Sequence, residues 1–417
     1  VSAGFQTIEI GYDSIPMRPL DDLFVVDLSR ILSGPICSMM MADMGAQVVK
    51  VEPPPFGDDS RQWGPPFVGG ISTYFHSINR GKKSLGLNLK TDEGKRILWQ
   101  LIDRADVILE NFRPGVIAGL GFGYEAVAAR NPRLIYCSIS GFGQTGPYKD
   151  RPGYDVIAQG ESGIMDLTGY PDQPPAKVGT SISDIVTGMY AFQGVLLALV
   201  ARARSNRGQF IDISLLDSTV STLTYQSLMY LATGKAPGRM GTRHPSIVPY
   251  ECFEVLDGYV NIGVTNQKQW IAFCRVLGMP EMADDSRFKT MKDRLAHYDL
   301  LKQVITPRLR AMTRAEAIEK LSEPGIPVGP VNSLAEVLSD PQIQAREMIK
   351  ELTHPDYGPI PQLGIPLKLS DTPGIVAVAP PRFGEHNQDI LKMLGFSDQE
   401  IGEYRKNGVI AEAPASY

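Results

Sequence analysis

Short apolar runs alternate with amphipathic stretches through the first half of the chain. Leu23–Asp27 and Gln47–Val51 have the length and the β-branched content of strands, and Pro35–Met44 between them reads as a helix. A strand, a helix and a second strand in that order form a βαβ unit, which makes the two strands parallel. The pattern continues with a strand at Ser84–Leu87, a helix over Asp92–Arg104 and a strand at Asp106–Leu109. A helix near Tyr124–Arg130 and a strand at Leu134–Ser138 follow. After a loop-rich stretch, a helix is predicted from Asp184 to about Arg204, then a strand at Phe210–Ile213. This alternation predicts the α/β class, a Rossmann-like parallel sheet covered by helices on both faces.

The texture changes after that. Tyr250–Val255 and Tyr259–Gly263 flank Asp257-Gly258 and predict a hairpin, because Asp-Gly supplies the positive φ that a tight turn needs. Helices are predicted at Lys268–Leu277 and roughly Leu300–Leu321. Gly325-Ile326-Pro327-Val328-Gly329-Pro330 reads as a rigid return crossing between domains, and the prolines of Pro359–Pro366 and Pro373–Pro381 read as connectors. A tail helix is predicted over Asp389–Arg405. With 417 residues the chain is too long for one ordinary core. We expect residues 1–224 to form a large α/β domain and 225–330 a smaller α+β domain. Residues 331–417 should return to the large domain and end in a helix packed on it.

Composition narrows the function classes. Hydrophobic residues at 43% and charged residues at 21% are ordinary globular values. A net charge of −5 provides no electrostatic case for nucleic acid or an anionic membrane. An anionic ligand would need Lys and Arg placed locally. Cys37, Cys137, Cys252 and Cys274 lie far apart without a CxxC, and read as reduced, mostly buried thiols. No apolar run reaches the length of a membrane span, the longest candidate being Gly194–Val200. The first twenty residues hold one Arg and no apolar block, so no secretion signal is legible. These features point to the cytoplasm, or to the mitochondrial matrix in a eukaryote. A chain starting at Val1 carries the expectation that a segment has been trimmed ahead of it.

Few places carry chemistry. His76, His244, His297, His354 and His386 are scattered without an HxH or HxxxH pair, so no metal is expected. Gly119-Leu120-Gly121-Phe122-Gly123 lacks the spacing of a dinucleotide fingerprint and reads as a helix C-cap and turn. Gly160-Glu161-Ser162-Gly163 lacks the spacing of a nucleophile elbow. Asp184 opens a long apolar helix after the small residues Val178–Ser183. Two readings of it stay open. It is an N-cap for the free amides of the first turn, or it is a carboxylate that those amides and the helix dipole keep ionised for attack on a thioester.

Several stretches, read together, resemble the class III (CaiB/BaiF-type) CoA-transferases. They are Val26-Asp27-Leu28-Ser29, Gly34-Pro35, Met44 through Pro53, Gly57-Asp58-Asp59-Ser60-Arg61 and Asn79 through Ser84. Glu110 through Gly115, Tyr136 through Gly143, Gly153-Tyr154-Asp155, Gly208 through Asp212 and Gly384-Glu385-His386 continue the match. The resemblance covers nearly the whole chain in order. It implies that Asp184 is the nucleophile, passing through a mixed anhydride and an aspartyl-CoA thioester, with Tyr154 and Asp155 beside it. Coenzyme A, the substrate as acyl-CoA, would be held by Asn111, Phe112, Leu32 and Pro53, and Arg80, Lys82 and Lys83 would clamp its phosphates or form a solvated face. The resemblance also implies an interlocked homodimer whose active site lies between the large domain of one chain and the small domain of its partner.

Departures from the family pattern select a branch. Racemases of this superfamily carry His before Asp where this chain has Tyr154-Asp155, and tyrosine is a poor base at neutral pH. The formyl-CoA branch has Gln at the position of Leu32 and a glycine run at Gly263-Val264-Thr265-Asn266-Gln267, which argues against oxalate and formate. Gly241 through Tyr250 and Gly146 through Asp155 look closest to enzymes that move CoA from succinyl-CoA to dicarboxylates such as glutarate or itaconate. Arg243, His244 and Arg151 are then the substrate-binding candidates, because a second acid group needs a cation. The rival readings are an acyl-CoA racemase or isomerase of the same fold and a non-catalytic acyl-CoA-binding protein.

Overall fold

The structure, a computed structural model, describes residues 17–413; the stretch in which no secretion signal was read lies largely outside them. Six parallel strands form the main sheet: β1 (Phe24–Asp27), β2 (Gln47–Glu52), β3 (Lys82–Gly86), β4 (Val107–Glu110), β5 (Ile135–Ser140) and β6 (Phe210–Ser214). Their spatial order is β3-β2-β1-β4-β5-β6. The order reverses between β1 and β4, and in an open α/β sheet such a reversal opens a crevice beyond the carboxyl ends of the strands.

Adjacent residues of each strand serve opposite faces, as the period of two requires. Val26, Val49 and Ile108 join a core with Ile97, Leu98, Leu101 and Ile102 of α2 (Asp92–Arg104). Val25, Val48 and Val107 join a second core with Cys37 and Met41 of α1 (Ser33–Asp43) and with Ala191, Phe192, Val195 and Ala198 of α4 (Ile182–Ser205). Burying each such aliphatic side chain contributes roughly 1.5–3 kcal/mol, so both faces of the sheet are committed to helices. α4 corrects one expectation: with 24 residues and a mean hydropathy of 1.6 over its most apolar window, it is long and apolar enough to cross a membrane. Its buried stripe faces the sheet.

α1 and α4 touch backbone to backbone. A Cβ on Gly188 would lie 1.9 Å from Ile36 Cγ2 and 2.6 Å from the Ser33 carbonyl oxygen, so only glycine permits this crossing. Gly188 is one helical turn beyond Asp184 on the same face. The contact therefore brings the start of α1 against the start of α4.

The chain divides into two compact units. One comprises 17–162, 179–222 and 341–413; the other comprises 163–178 and 223–340. The smaller unit has an antiparallel sheet of Tyr250–Val255, Gly258–Gly263 and Val328–Pro330 around a core that includes Trp270, Phe273 and Phe288. Its hairpin pairs Val255 with Gly258, so Leu256-Asp257 is the connecting pair and Gly258 alone carries the positive φ, +146°. Val328–Pro330, expected as part of a return crossing, is that sheet's third strand.

Three other expectations changed. The single helix predicted over Leu300–Leu321 is two, Tyr298–Arg310 and Arg314–Ser322, because Thr313 and Glu316 form a capping box that starts a new helix. The tail is also two helices, Asn387–Met393 and Asp398–Lys406, divided by Gly395 and a Ser397–Glu400 capping box. Both share a core with the main sheet through Ile390, Leu391, Ile401 and Tyr404. Pro359 and Pro361, read as connector prolines, lie in a two-stranded hairpin of Ile349–His354 with Gly358–Leu363. Such a strand has a free edge, where proline's missing donor costs nothing.

Candidate active site

Loops leaving the carboxyl ends of β1, β4 and β5 enclose a cavity of about 390 Å³. Its walls include Arg30, Ile31 and Ser33 after β1, Asn111 through Pro114 after β4, and Ser140 and Gly141 at the end of β5. The cavity thus sits at the reversal of strand order, where the topology places a ligand. Asp184, Tyr154 and Arg151 also line it.

Asp184 is the third residue of α4, which begins two residues earlier than predicted. It is therefore not the N-cap. Ser181 occupies that position without a side-chain cap, and Asp155 takes the capping duty instead. Its Oδ1 accepts the Ser183 N–H at 2.9 Å, and its Oδ2 accepts Gln159 Nε2 at 2.8 Å. Asp184 is left 9% exposed. Burial, reinforced by the charge of Asp155 and opposed by a side-chain hydrogen bond from Ser33, pushes its carboxyl up to about 7. The expectation that helix amides would keep it fully ionised at neutral pH is corrected: desolvation outweighs them. At pH 7 the group is poised between acid and anion, and no cation contributes to its shift.

Tyr154 precedes α3 (Asp155–Glu161) as its N-cap residue and is 60% exposed at the cavity. Arg151 is held by Glu161 and stacks on Phe142 and Tyr148, with its Cζ 4.7 and 4.6 Å from the ring centres. Asn111 and Phe112 line the cavity. Phe112 is fixed by its N–H donating to Glu110 Oε2 at 2.9 Å, and the Arg30 guanidinium lies 5.6 Å from its ring centre. Glu110, buried at the end of β4, is pushed up to about 7 by its desolvation.

The proposed phosphate clamp is not available. Arg80 makes a bidentate pair with Asp43 at 2.9 and 2.7 Å, and both are buried. Lys82 is buried against Asp27, the Pro35 carbonyl and Asn79. These two cations hold the fold together. Lys83 alone of the run is exposed, and it lines a different cavity with Arg18 and Asp43. Leu32 is buried at the N-cap of α1, Pro53 is exposed just after β2, and neither lines the site cavity. Arg243 and His244 belong to the smaller unit and do not line it either. The Arg243 guanidinium stacks 3.7 Å from the Tyr298 ring centre, and His244 stacks on Tyr225 at 5.4 Å.

Sequence reasoning missed Ser33 at the start of α1, which lines the cavity, and three further groups. Arg30 and Arg113 line the cavity and are its nearest cations to the β1 and β4 ends. Tyr74 has its hydroxyl held protonated, well above the usual tyrosine range, by burial and then by the charges of Asp184 and Asp155. Arg30 and Arg113 each follow a predicted strand, and knowledge of the strand order would have exposed them. No local pattern marks Tyr74.

With this geometry in view, the comparisons with known proteins are specific. The family model described as CoA-transferase family III matches residues 20–387. The succinate–glutarate CoA-transferase of Agrobacterium fabrum is 42% identical over 90% of this chain and 96% of its own length. The acetyl-CoA:oxalate CoA-transferase of Acetobacter aceti is 44% identical over 85% of this chain and 90% of its own. Among solved structures, a CaiB/BaiF family protein from Brucella suis superposes with a TM-score of 0.82 at 43% identity, covering 90% of this chain and 99% of that one.

Proposed function

The chain belongs to CoA-transferase family III, and on that premise we propose that it moves coenzyme A from succinyl-CoA to a small dicarboxylic acid through the carboxylate of Asp184. The observation that carries this reading is Asp184 itself, a buried carboxyl without a cation, facing a cavity at the strand-order reversal. Glu110 is also buried without a cation, but its oxygens hold Ser138 and the Phe112 N–H and it does not line the cavity. A nucleophilic carboxylate gains reactivity from being unpaired and desolvated.

The steps follow from that group. An Asp184 oxygen attacks the thioester carbonyl of the donor, the C–S bond breaks, and a mixed anhydride and CoA thiolate result. The thiolate attacks the Asp184 carbonyl carbon, releases the donor acid as its carboxylate and leaves an aspartyl-CoA thioester. The acceptor carboxylate attacks that thioester and expels the thiolate again. The thiolate then takes the acceptor acyl group and frees Asp184. Every intermediate is an activated acyl group, so the sequence needs water excluded. Tyr154 and Asp155 flank the reacting carboxyl, Phe112 bounds the acyl-CoA channel, and Arg30, Arg113 and Arg151 are the cations for phosphate and for the acceptor's second carboxylate.

The acceptor class rests on the relatives. The succinate–glutarate enzyme supports a succinyl donor and a dicarboxylate, and the oxalate enzyme is the reason oxalate is kept among the acceptors tested. We also assign the protein a homodimeric state in which the partner's smaller unit closes the cavity and brings Arg243 and His244 to the acceptor. Exposed apolar side chains support an oligomer: Leu197 and Val200 on α4, and Leu228 and Leu231 on the helix Thr224–Thr233. Light scattering tests this state directly.

The deciding experiment incubates the protein with succinyl-CoA and a panel of glutarate, itaconate, oxalate and formate, and reads the new thioesters by mass spectrometry. One dicarboxyl-CoA that is absent with Asp184→Asn supports the proposal. No new thioester with any of these acids sinks it. Deuterium entering the α-position of bound acyl-CoA would redirect the assignment to a racemase.

A further inference from the structure

Three consecutive residues between β1 and α1 are each held by a side chain from β2 or from the segments that follow β2 and β4. Lys50 Nζ, from β2, donates to the Ser29 carbonyl at 2.8 Å. Asn111, just beyond β4, grips Arg30 at both ends: its Oδ1 accepts the Arg30 N–H at 2.8 Å, and its Nδ2 donates to the Arg30 carbonyl at 2.7 Å. Asp58 accepts the Ile31 N–H on both carboxylate oxygens at 3.3 Å. Asp58 is itself anchored by Lys50 at 2.8 Å, with both side chains fully buried.

What these holds impose is an unfavourable turn. Ile31 has φ +73°, a left-handed conformation that a β-branched residue avoids because its Cβ crowds the following carbonyl. Such a conformation persists only where the surroundings over-determine it. The chain immediately enters α1, whose first residue, Ser33, lines the same cavity as Asp184 and favours the ionised form of that carboxyl. The packing behind is equally constrained, since a Cβ on Gly34 would meet Ser29 Oγ at 2.2 Å.

We propose that Asn111 and Asp58 are positioning residues of the transfer reaction: by clamping Arg30 and Ile31 they hold the left-handed turn that sets Ser33, at the start of α1, beside Asp184. This inference rests on the reading of Asp184 as the nucleophile. It gives Asn111 a positioning task, its side-chain amide using one acceptor and one donor on the Arg30 backbone. The clamp also sets where the Arg30 side chain enters the cavity.

The ionisable groups facing Asp184 are Asp155 at the start of α3 and Tyr74 on the helix Thr73–Ile78. Asp59, Arg30, Arg113 and Arg151 line the remainder of the cavity. None of these is altered in the test. Asn111→Ala, Ser33→Ala and the double variant are compared for kcat, KM and the pH dependence of kcat/KM. In parallel, ¹³C-labelled aspartate reports the titration of the Asp184 carboxyl by NMR without any turnover.

The expectation is a fall in kcat of about 10²-fold for Asn111→Ala, the scale of a small misplacement of reacting groups, with KM for acyl-CoA little changed. The rising limb of the pH profile and the NMR titration should both move to higher pH, because the hydroxyl that favours the ionised carboxyl is lost. Ser33→Ala should move them equally, and the double variant no further. Ile31→Gly, which removes the cost of the left-handed turn, should restore part of the activity of Asn111→Ala. A raised KM with kcat and the titration unmoved would overturn the proposal and return Asn111 to acyl-CoA contact. Should Asn111→Ala fail to fold, Asn111→Asp, which keeps the acceptor and loses the donor, answers the same question. If Asp184→Asn keeps its turnover, the nucleophile reading fails, while the titration shift still judges the clamp on its own.

Discussion

Two sets of buried carboxyl groups in the larger unit are treated in opposite ways. Beneath the site, Asp58 meets Lys50 at 2.8 Å and Glu52 meets Arg61 at 2.7 Å through two parallel bonds. Burial alone would raise both carboxyls. The facing cations outweigh it and hold both below the usual carboxylate range. Asp184 is buried almost as deeply, yet no cation faces it, and burial with the charge of Asp155 pushes it up to about 7. Burial does not decide a carboxyl's role; the presence of a partner does. Paired groups build the platform, and the unpaired group is free to react.

The sharpest way to break this comparison is to remove the unpaired charge. Asp184→Asn should lower turnover by at least ~10³-fold, the scale seen when a nucleophile is deleted, and should leave the fold intact. The two sets also respond to pH with opposite sign. Asp184's folded pKa is raised, so its contribution to stability is complete below the unfolded value near 4 and is lost as pH rises through about 7. That loss is on the order of 4 kcal/mol, and the Asn variant should not show it. Asp58 and Glu52 are depressed, so their contribution is present above the ordinary carboxylate range and is lost as pH falls below it. Urea melts at about pH 2.5, pH 4 and pH 8 measure both signs, the lower interval for the paired set and the upper for Asp184. Equal pH dependence in Asp184→Asn and the parent would mean the carboxyl is not desolvated as described.

Breaking the paired set should cost stability first. Lys50→Met removes the ammonium from Asp58 and the Ser29 carbonyl together, and leaving a buried charge uncompensated costs about 3–5 kcal/mol. The midpoint of urea unfolding at neutral pH should fall accordingly and partly recover in acid, where Asp58 is protonated. A variant as stable as the parent would place Lys50 outside the platform.

How much of this was legible beforehand follows from the kind of signal involved. Strand and helix positions in the large unit came from local periodicity, and Asp92–Arg104 and Tyr124–Arg130 fall where the pattern placed them. Asp184 was legible as a carboxyl at the start of an apolar helix, though its neighbours were not: Ser33 lies 151 positions earlier and meets it only through the Gly188 crossing. Charged residues were read least well. Arg80 and Lys82 form a basic run in sequence, but their partners Asp43 and Asp27 come from another helix and another strand. Adjacent residues of a strand point to opposite faces, so Lys82 turns inward while Lys83 remains exposed. Helix breaks were missed at Thr313 and Ser397 although each has Glu three residues on, the signature of a capping box.

A smaller perturbation tests whether the crossing that joins the two helices carries catalysis. Gly188→Ala inserts a methyl where Ile36 Cγ2 would be 1.9 Å away and the Ser33 carbonyl 2.6 Å. Overpacking of this kind costs roughly 1–3 kcal/mol, well below the loss at Lys50. Because α1 must shift away from α4, kcat should fall more than the loss of stability explains. Unchanged kcat in the folded fraction would separate the crossing from the reacting carboxyl.

The smallest effect is expected at Lys83, and its smallness is informative. Lys83 sits near the amino end of β3 and lines a cavity with Gln47 and Val48 at the amino end of β2, whereas the site opens at the carboxyl ends of the strands. An exposed residue without such a role changes free energies by within about 0.5 kcal/mol, which is about a factor of two in KM. Lys83→Ala should therefore leave KM for acyl-CoA, kcat and the unfolding midpoint within that range. Arg113→Ala, which removes a cation from the site cavity, should raise KM for acyl-CoA clearly beyond it. If Lys83→Ala raised KM as much as Arg113→Ala, acyl-CoA would reach the amino-end cavity. The division between structural and working charges would then have to be redrawn along the whole of β3.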